Sequence, residues 1–263
     1  MRSVGAIALM LAAAGTLCAE TSQERGKKVL DACVEALGGD RFLEMRNRVE
    51  HGMAFSFYRE EVSGLTFATI YTEYSPKAAP GKLAVREREN FGKKNEYGSV
   101  LFGERDAYEM SYRGAQPLSA ERFDRYRDST LHDIFYILRQ RRGEPGMLVE
   151  SKGFDVLDNR PVDIVDITDG ENQTTTVYID QTTHLPTRQI FHRRNPVTKD
   201  QDEEVTLFTK YRDVGGVQWP FTIQRDRNGE KSYQIFSDSV KIDQSLPEDM
   251  FELPNGIKMM KGS

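Results

Sequence analysis

The sequence predicts an α+β fold, mainly antiparallel β, in which one large sheet curls around a few helices. Three observations carry this: helical periodicity near the start, a long series of short runs with period 2, and one helical insertion that interrupts them.

The first helix follows from Leu30, Cys33, Val34 and Leu37, which recur at i, i+3, i+4 and i+7 and so share one face. Gly38 and Gly39 end it, because glycine takes the left-handed conformation that helix C-termini favour. From Arg48 to Tyr58 the period becomes 2. Val49, Met53, Phe55 and Phe57 alternate with Arg48, Glu50 and Ser56, which predicts a half-buried strand with the aromatic side inward. Similar runs at 65–74, 82–89, 97–102 and 107–113 predict a meander.

The meander breaks at residues 119–142. Ser119 is placed to cap one helix and Ser129 a second, whose apolar stripe is Leu131, Ile134, Phe135 and Leu138. Arg139, Arg141 and Arg142 close that helix at the negative end of its dipole, which explains them structurally; contact with phospholipid is the sharper alternative. Strands resume at 147–157, 160–168, 173–180, 186–193, 203–212, 217–227 and 230–241. Asp158-Asn159 and Asn228-Gly229 read as two-residue hairpin turns. The second turn, taken as regular, pairs Arg227 with Glu230, Ile223 with Gln234 and Phe221 with Phe236. Trp219, Phe221, Ile223 and Phe236 would then form one aromatic surface. Pro220 cannot donate to a ladder, so its strand should be at an edge or distorted there.

Residues 1–19 read as a cleavable secretory signal peptide: Arg2, an apolar run from Val4 to Ala14, and small residues before a cut after Ala19. The expected location is the periplasm, with residues 20–263 forming one domain. Lipid anchoring through Cys18 would call for a large aliphatic residue three positions earlier and a small one directly before, and Gly15 and Leu17 do not supply them. Cys33 then remains as the only thiol, which excludes an internal disulfide framework and reads as a small buried hydrophobe. A net charge of −5 argues against a nucleic-acid partner and for neutral or cationic ones.

No nucleophile elbow, HExxH, CxxC, GxGxxG, phosphate loop or EF-hand pattern occurs, so no catalytic residue, metal site or cofactor is expected. His132 and Asp133 are adjacent on a predicted helix and do not face each other. Asp163, Asp166 and Asp169 alternate between faces of a strand and read as solvated. The run from Lys199 to Glu204 reads as a charged loop that protects an edge.

Three stretches together resemble the LolA/LolB-like outer-membrane lipoprotein-sorting family: "VLDACVEALGGDRFLEMRNRVEHGMAF", "VYIDQTTHLPTRQIF" and "GGVQWPFTIQRDRNGEKSYQIFSDSVKIDQSLPEDMFELP". The resemblance implies an incomplete, half-open β-barrel of about 11 strands, its apolar concave face covered by helices that act as a lid. It also implies a non-catalytic binder or carrier whose ligand is the acyl chains of lipoproteins or another amphiphile. An inner- or outer-membrane protein is a possible delivery partner, and a regulatory module that binds a protein through the same fold is the alternative. The expected hydrophobic lining is Phe55, Phe57, Phe67, Tyr71, Ile134, Phe135, Leu138, Trp219, Phe221 and Phe236. The helix with Ile134, Phe135 and Leu138 is the expected movable cover. The lack of a lipobox and the length and charge of residues 119–142 depart from the family pattern.

Overall fold

A computed structural model describes residues 20–76, 82–93, 98–194 and 199–260. The expected leader, Cys18 included, lies outside the described residues. Helix α1, Ser22–Leu37, is capped by Thr21 and Glu24 in a reciprocal capping box and ends at Gly38, whose φ is 126°. Leu30, Cys33, Val34 and Leu37 are all buried, as their spacing requires. Burying each large aliphatic side chain contributes roughly 1.5–3 kcal/mol, so this one face holds the helix to the sheet. A one-turn helix α2, Asp40–Leu43, buries Phe42 and leads into the sheet.

Thirteen antiparallel strands form one open sheet. They are β1 Asn47–Tyr58, β2 Glu61–Tyr74, β3 Val85–Phe91, β4 Gly98–Phe102, β5 Ala107–Ser111, β6 Gly114–Pro117, β7 Leu148–Leu157, β8 Arg160–Thr168, β9 Thr174–Asp180, β10 Pro186–Arg194, β11 Gln201–Val214, β12 Val217–Arg227 and β13 Glu230–Ile242. Their spatial order is β6-β5-β4-β3-β2-β1-β13-β12-β11-β10-β9-β8-β7, so the first and last halves of the chain meet at β1 and β13. The sheet does not close, which agrees with the half-open barrel. It has thirteen strands rather than about eleven, partly because the four-residue β6 is too short to show a period. Both expected hairpin turns form with positive φ at Asp158, Asn159, Asn228 and Gly229. Residues 201–204, expected in a loop, already belong to β11.

Two irregularities decide which side chains face inward. At the 228–229 hairpin the ladder begins as expected with Arg227 opposite Glu230, but Ser232 is extra, and Ile223 then meets Ile235 while Thr222 meets Phe236. One added residue turns every later side chain to the other face. Phe236 is therefore on the convex side, with Phe55 packed edge-on at 5.7 Å between ring centres. On the other flank of β13, His51 faces Ser239 and Gly52 faces Ser237, so Asp238 bulges out. A Cβ on Gly52 would lie 2.3 Å from the Phe236 carbonyl, so only glycine fits that crossing.

The consequence for β1 is a reversal of the expected faces. Arg48 and Glu50 are the buried residues, at 8% and 1% exposure. Val49, Met53, Phe55 and Phe57 point to the convex side, as do Phe67 and Tyr71, which pair with Met53 and Val49 on β2. Part of that side is covered by the tail: Tyr71 packs on the cluster of Leu101, Met110, Ala115 and Phe251. Pro220 lies in an interior strand, and the β12–β13 ladder stops at Thr222, short of it, so the missing donor leaves no gap.

The inserted segment also differs from expectation. Helix α3, Ala120–Leu131, starts at the Ser119 cap and contains no fully buried residue. The second helix is capped by Asp133 rather than Ser129: α4, Ile134–Tyr136, continues as a π-turn over Ile137–Arg141. Ile134 and Leu138 are 0% and 2% exposed in the main core, with α1 and the concave face around them. That helix is a fixed element of the core. The cover over the concave side is α3.

Candidate functional site

A cavity of about 490 Å³ lies between the concave face of the sheet and α3. The volume falls within the ~300–1,000 Å³ usual for small-molecule sites. One part of its wall is apolar, formed by Ile70, Phe135, Phe208, Trp219 and Ile235. Trp219 and Phe135 stand 4.8 Å apart between ring centres, and Phe135 meets Phe208 edge-on at 5.1 Å. The single tryptophan is thus both a core residue and a wall.

The rest of the wall is charged, because the β1 reversal and its neighbours turn polar residues inward. The Arg48 guanidinium lies 4.1 Å over the Trp219 ring, 3.5 Å from the Glu50 carboxylate, and donates to Thr72 Oγ1 at 3.0 Å. Thr72 donates in turn to Glu87 at 3.2 Å, and Ser237 donates to Glu50. Burial opposes the charge of Arg48, but Tyr74, Glu50 and Glu87 together outweigh it and raise its pKa.

Glu87 and Glu89 share the inward face of β3 at i, i+2 spacing and both line the cavity. Burial raises Glu87, with Arg48, Arg225 and the Thr72 hydroxyl pulling the other way. Glu89 is pushed up to about 8 by burial and by repulsion from Glu87, only partly offset by Arg225. Both carboxylates keep some accessible surface yet titrate as buried groups, as expected of side chains that face an enclosed space.

Where β10, β11 and β12 adjoin, Glu204 lies 3.5 Å from Arg227 and 3.7 Å from Arg193, and accepts from Ser129 of α3 at 2.9 Å. Arg125 of α3 joins them; burial and the charges of Arg227 and Arg193 lower its pKa. Tyr126, also on α3, stacks on Phe102 at 3.8 Å and closes the side nearest β3 and β4.

Of the ten residues expected to line the site, Phe135 and Trp219 do so. Ile134, Leu138 and Phe221 sit in the main core cluster, away from the cavity surface. Phe55, Phe57, Phe67, Tyr71 and Phe236 lie on the convex side, for the reasons given above. The cavity residues that pattern reading missed are chiefly the charged ones, Arg48, Glu50, Glu87, Glu89 and Arg225.

A buried cluster beside the cavity, whose wall His132 and Phe191 join, has a structural role. Asp169, expected to be solvated, is 8% exposed, accepts from Arg141 at 3.1 Å and lies 3.3 Å from His132 Nε2. The His132 ring stacks on Phe191 at 3.8 Å, and burial lowers its pKa. Arg139 donates to the Met45 carbonyl and Arg142 pairs with Asp31, so the arginines after α4 serve the fold. Among the described residues, no three His, Cys, Asp or Glu side chains are grouped to hold a metal ion. No helix among them is long and apolar enough to cross a membrane.

No family model matches the sequence, and no curated protein does. Solved structures do share the fold. A DUF1329 family protein from Desulfovibrio piger ATCC 29098 superposes with a TM-score of 0.59 at 12% identity, over 86% of this chain and 97% of that one. A putative outer membrane lipoprotein-sorting protein domain from Vibrio parahaemolyticus gives 0.57 at 10% identity, over 86% and 97%. A LolA superfamily protein from Nitrosomonas europaea gives 0.53 at 11% identity, over 86% and 96%. At these identities the likeness is one of fold: the chain has the half-open barrel of the LolA-like proteins.

Proposed function

We propose that this protein is a non-catalytic binder or carrier of an amphiphile, such as the acyl chains of a lipoprotein, acting in the periplasm after removal of residues 1–19. The observation that carries the reading is the cavity of about 490 Å³ enclosed between the concave face and α3, within a fold shared with a lipoprotein-sorting domain. Phe135 and Trp219 supply its apolar contacts, with Ile134, Leu138 and Phe221 packed in the core that holds them. Each methylene seated there contributes roughly 0.8 kcal/mol, so a short stretch of chain gives useful affinity without preventing release. Helix α3, which has no fully buried residue, is the element that can move to admit a ligand. The buried histidine–carboxylate contact between His132 and Asp169 has Arg141 on the same carboxylate oxygen, an arrangement suited to structure rather than to activating a nucleophile.

The test is native mass spectrometry of protein purified from a periplasm, together with uptake of a fluorescent fatty acid. The expected result is a co-purified lipid and saturable uptake. Clean apo protein that takes up nothing would overturn the reading. A second reading, a module that binds a protein partner, is favoured by one observation: the β1–β2 hairpin exposes Tyr58, Val62 and Leu65 at 66%, 56% and 58%, beside Phe55 and Phe57. It predicts a stable complex with a membrane protein's periplasmic segment that is lost on Leu65→Ser.

A further inference from the structure

We infer that the cavity is built for a zwitterionic head group, its ammonium seated against Glu87 and Glu89 and its anionic group facing Arg125 and Arg227. This rests on the binder reading and specifies which part of the amphiphile enters.

A cavity meant for hydrocarbon alone has no use for ionisable groups on its wall, since each costs free energy to desolvate. Here a region rich in carboxylates, with Arg48 and Arg225 beside it, and a region rich in arginine, with Glu204 and Asp226 beside it, line one space. At the β3 pole, Glu89 has no hydrogen bond or ion pair among the described residues, and Glu87 has only the Thr72 hydroxyl. Tyr126 stands near this pole, as does Tyr233 of β13, so an ammonium would meet carboxylates and aromatic surface together.

At the other pole the balance is reversed. Arg193 and Arg227 pair with Glu204, Arg193 also with Asp202 and Arg125 with Glu121, yet the Nε–H of all three arginines is buried without an acceptor; Arg125 and Arg227 are the two on the cavity wall. The Arg193 residue is 9% exposed. Buried donors left unpaired cost free energy, and an oxyanion is the group that satisfies several guanidinium N–H groups at once. The poles are on different parts of the sheet: Glu87 and Glu89 are on β3, whereas Arg227 and Glu204 are on β12 and β11, four and five strands away. The Trp219 and Phe135 surface lines the same cavity, and the Trp219 indole N–H is also buried without an acceptor. An ammonium-and-phosphate head with a short apolar portion matches these surfaces.

The test is calorimetric titration of the full protein with dihexanoyl phosphatidylethanolamine, dihexanoyl phosphatidylglycerol, hexylammonium and chain-free glycerophosphoethanolamine, below micelle concentrations. The zwitterionic lipid should bind about tenfold or more tightly than the phosphoglycerol lipid or the alkylammonium, as one charge-assisted contact supplies. Binding of glycerophosphoethanolamine would assign the subsite to the head alone; its failure beside binding of the lipid would show that the chains are needed as well, and both uphold the head preference. E89Q, or E87Q if that variant folds better, should reduce the zwitterion to the phosphoglycerol level, and R227Q should reduce it to the alkylammonium level, with single cooperative melting transitions no lower than that of the parent protein as the folding control. Equal affinities for the two lipids, or a preference that survives E89Q, E87Q and R227Q, would overturn the inference while leaving the binder reading intact. Failure of every lipid and of the fluorescent fatty acid would sink both.

Discussion

Glu89→Gln should stabilise the protein at alkaline pH and have little effect under acidic conditions. In the fold Glu89 titrates at about 8 against an ordinary 4.5, because burial opposes its charge and Glu87 repels it. The groups that face it are Glu87 on its own strand, Arg225 from β12, Tyr126 from α3 and Tyr233 from β13. The folded state therefore holds this proton more tightly than the unfolded chain does. Stability from the protonated carboxyl is complete below pH 4.5, falls as pH rises, and is lost above about 8. At 1.36 kcal/mol per pH unit the interval sets a ceiling of about 5 kcal/mol, and water and relaxation in the cavity bring this to about 2–3 kcal/mol. A glutamine keeps the shape of the protonated acid and has no proton to lose. Urea unfolding of both proteins at pH 5, 7 and 8.5 should show a stability difference that is small at the first and grows to about 2–3 kcal/mol at the last, with equal m-values. A difference that stays flat from pH 5 to 8.5 would mean that Glu89 is solvated and ionised, and the account of a desolvated charged wall would be refuted.

Asp169→Asn should cost about 3–5 kcal/mol in thermal or urea unfolding, because Arg141 loses its buried counter-charge and His132 its neighbour. Trp219→Ala should cost about 3–5 kcal/mol and also weaken fatty-acid uptake, since the ring serves the core and the wall alike. Cys33, whose thiol burial pushes up to about 12, should resist a thiol reagent in the native state and react at once in urea. The double change Phe55→Ser and Phe236→Ser should leave amphiphile uptake unaltered, as both rings are on the convex face; a loss of uptake equal to that of Trp219→Ala would contradict the assigned register.

Most strand positions, the first helix and both two-residue turns were legible because each rests on a local rule: i, i+3, i+4 burial in α1, positive φ at Asn228-Gly229, alternation along β1. What alternation cannot say is which of two faces turns inward. In β1 the aromatic face was the natural choice for the interior, and it is the wrong one, because this sheet has covering matter on both sides. The concave side receives α1, α4 and the cavity, while over β2, β4 and β5 the convex side receives the tail around Phe251. Oily side chains are thus wanted on either face. The assignment depends on long-range packing that no window of the sequence contains.

The bulges compound the difficulty in a specific way. Ser232 carries no signal that would mark it as an extra residue, being small, polar and one of many in strands. Yet its insertion sends Phe236 to the convex face and brings Ile235 and Tyr233 to the cavity wall. Asp238, bulged opposite Gly52, does the same for the far half of β13, and there the sequence does hold a clue, since a glycine in mid-strand often marks a close backbone approach. Two insertions in one strand place Ser237 opposite Gly52, from where its hydroxyl donates to Glu50 and, with Arg48, serves that buried carboxylate. The charged interior and the irregular strand are therefore one feature. A regular β13 would put an aromatic ring inside and leave Glu50 with Arg48 alone, which is the arrangement that simple alternation predicts and that the desolvation cost of a buried carboxylate opposes.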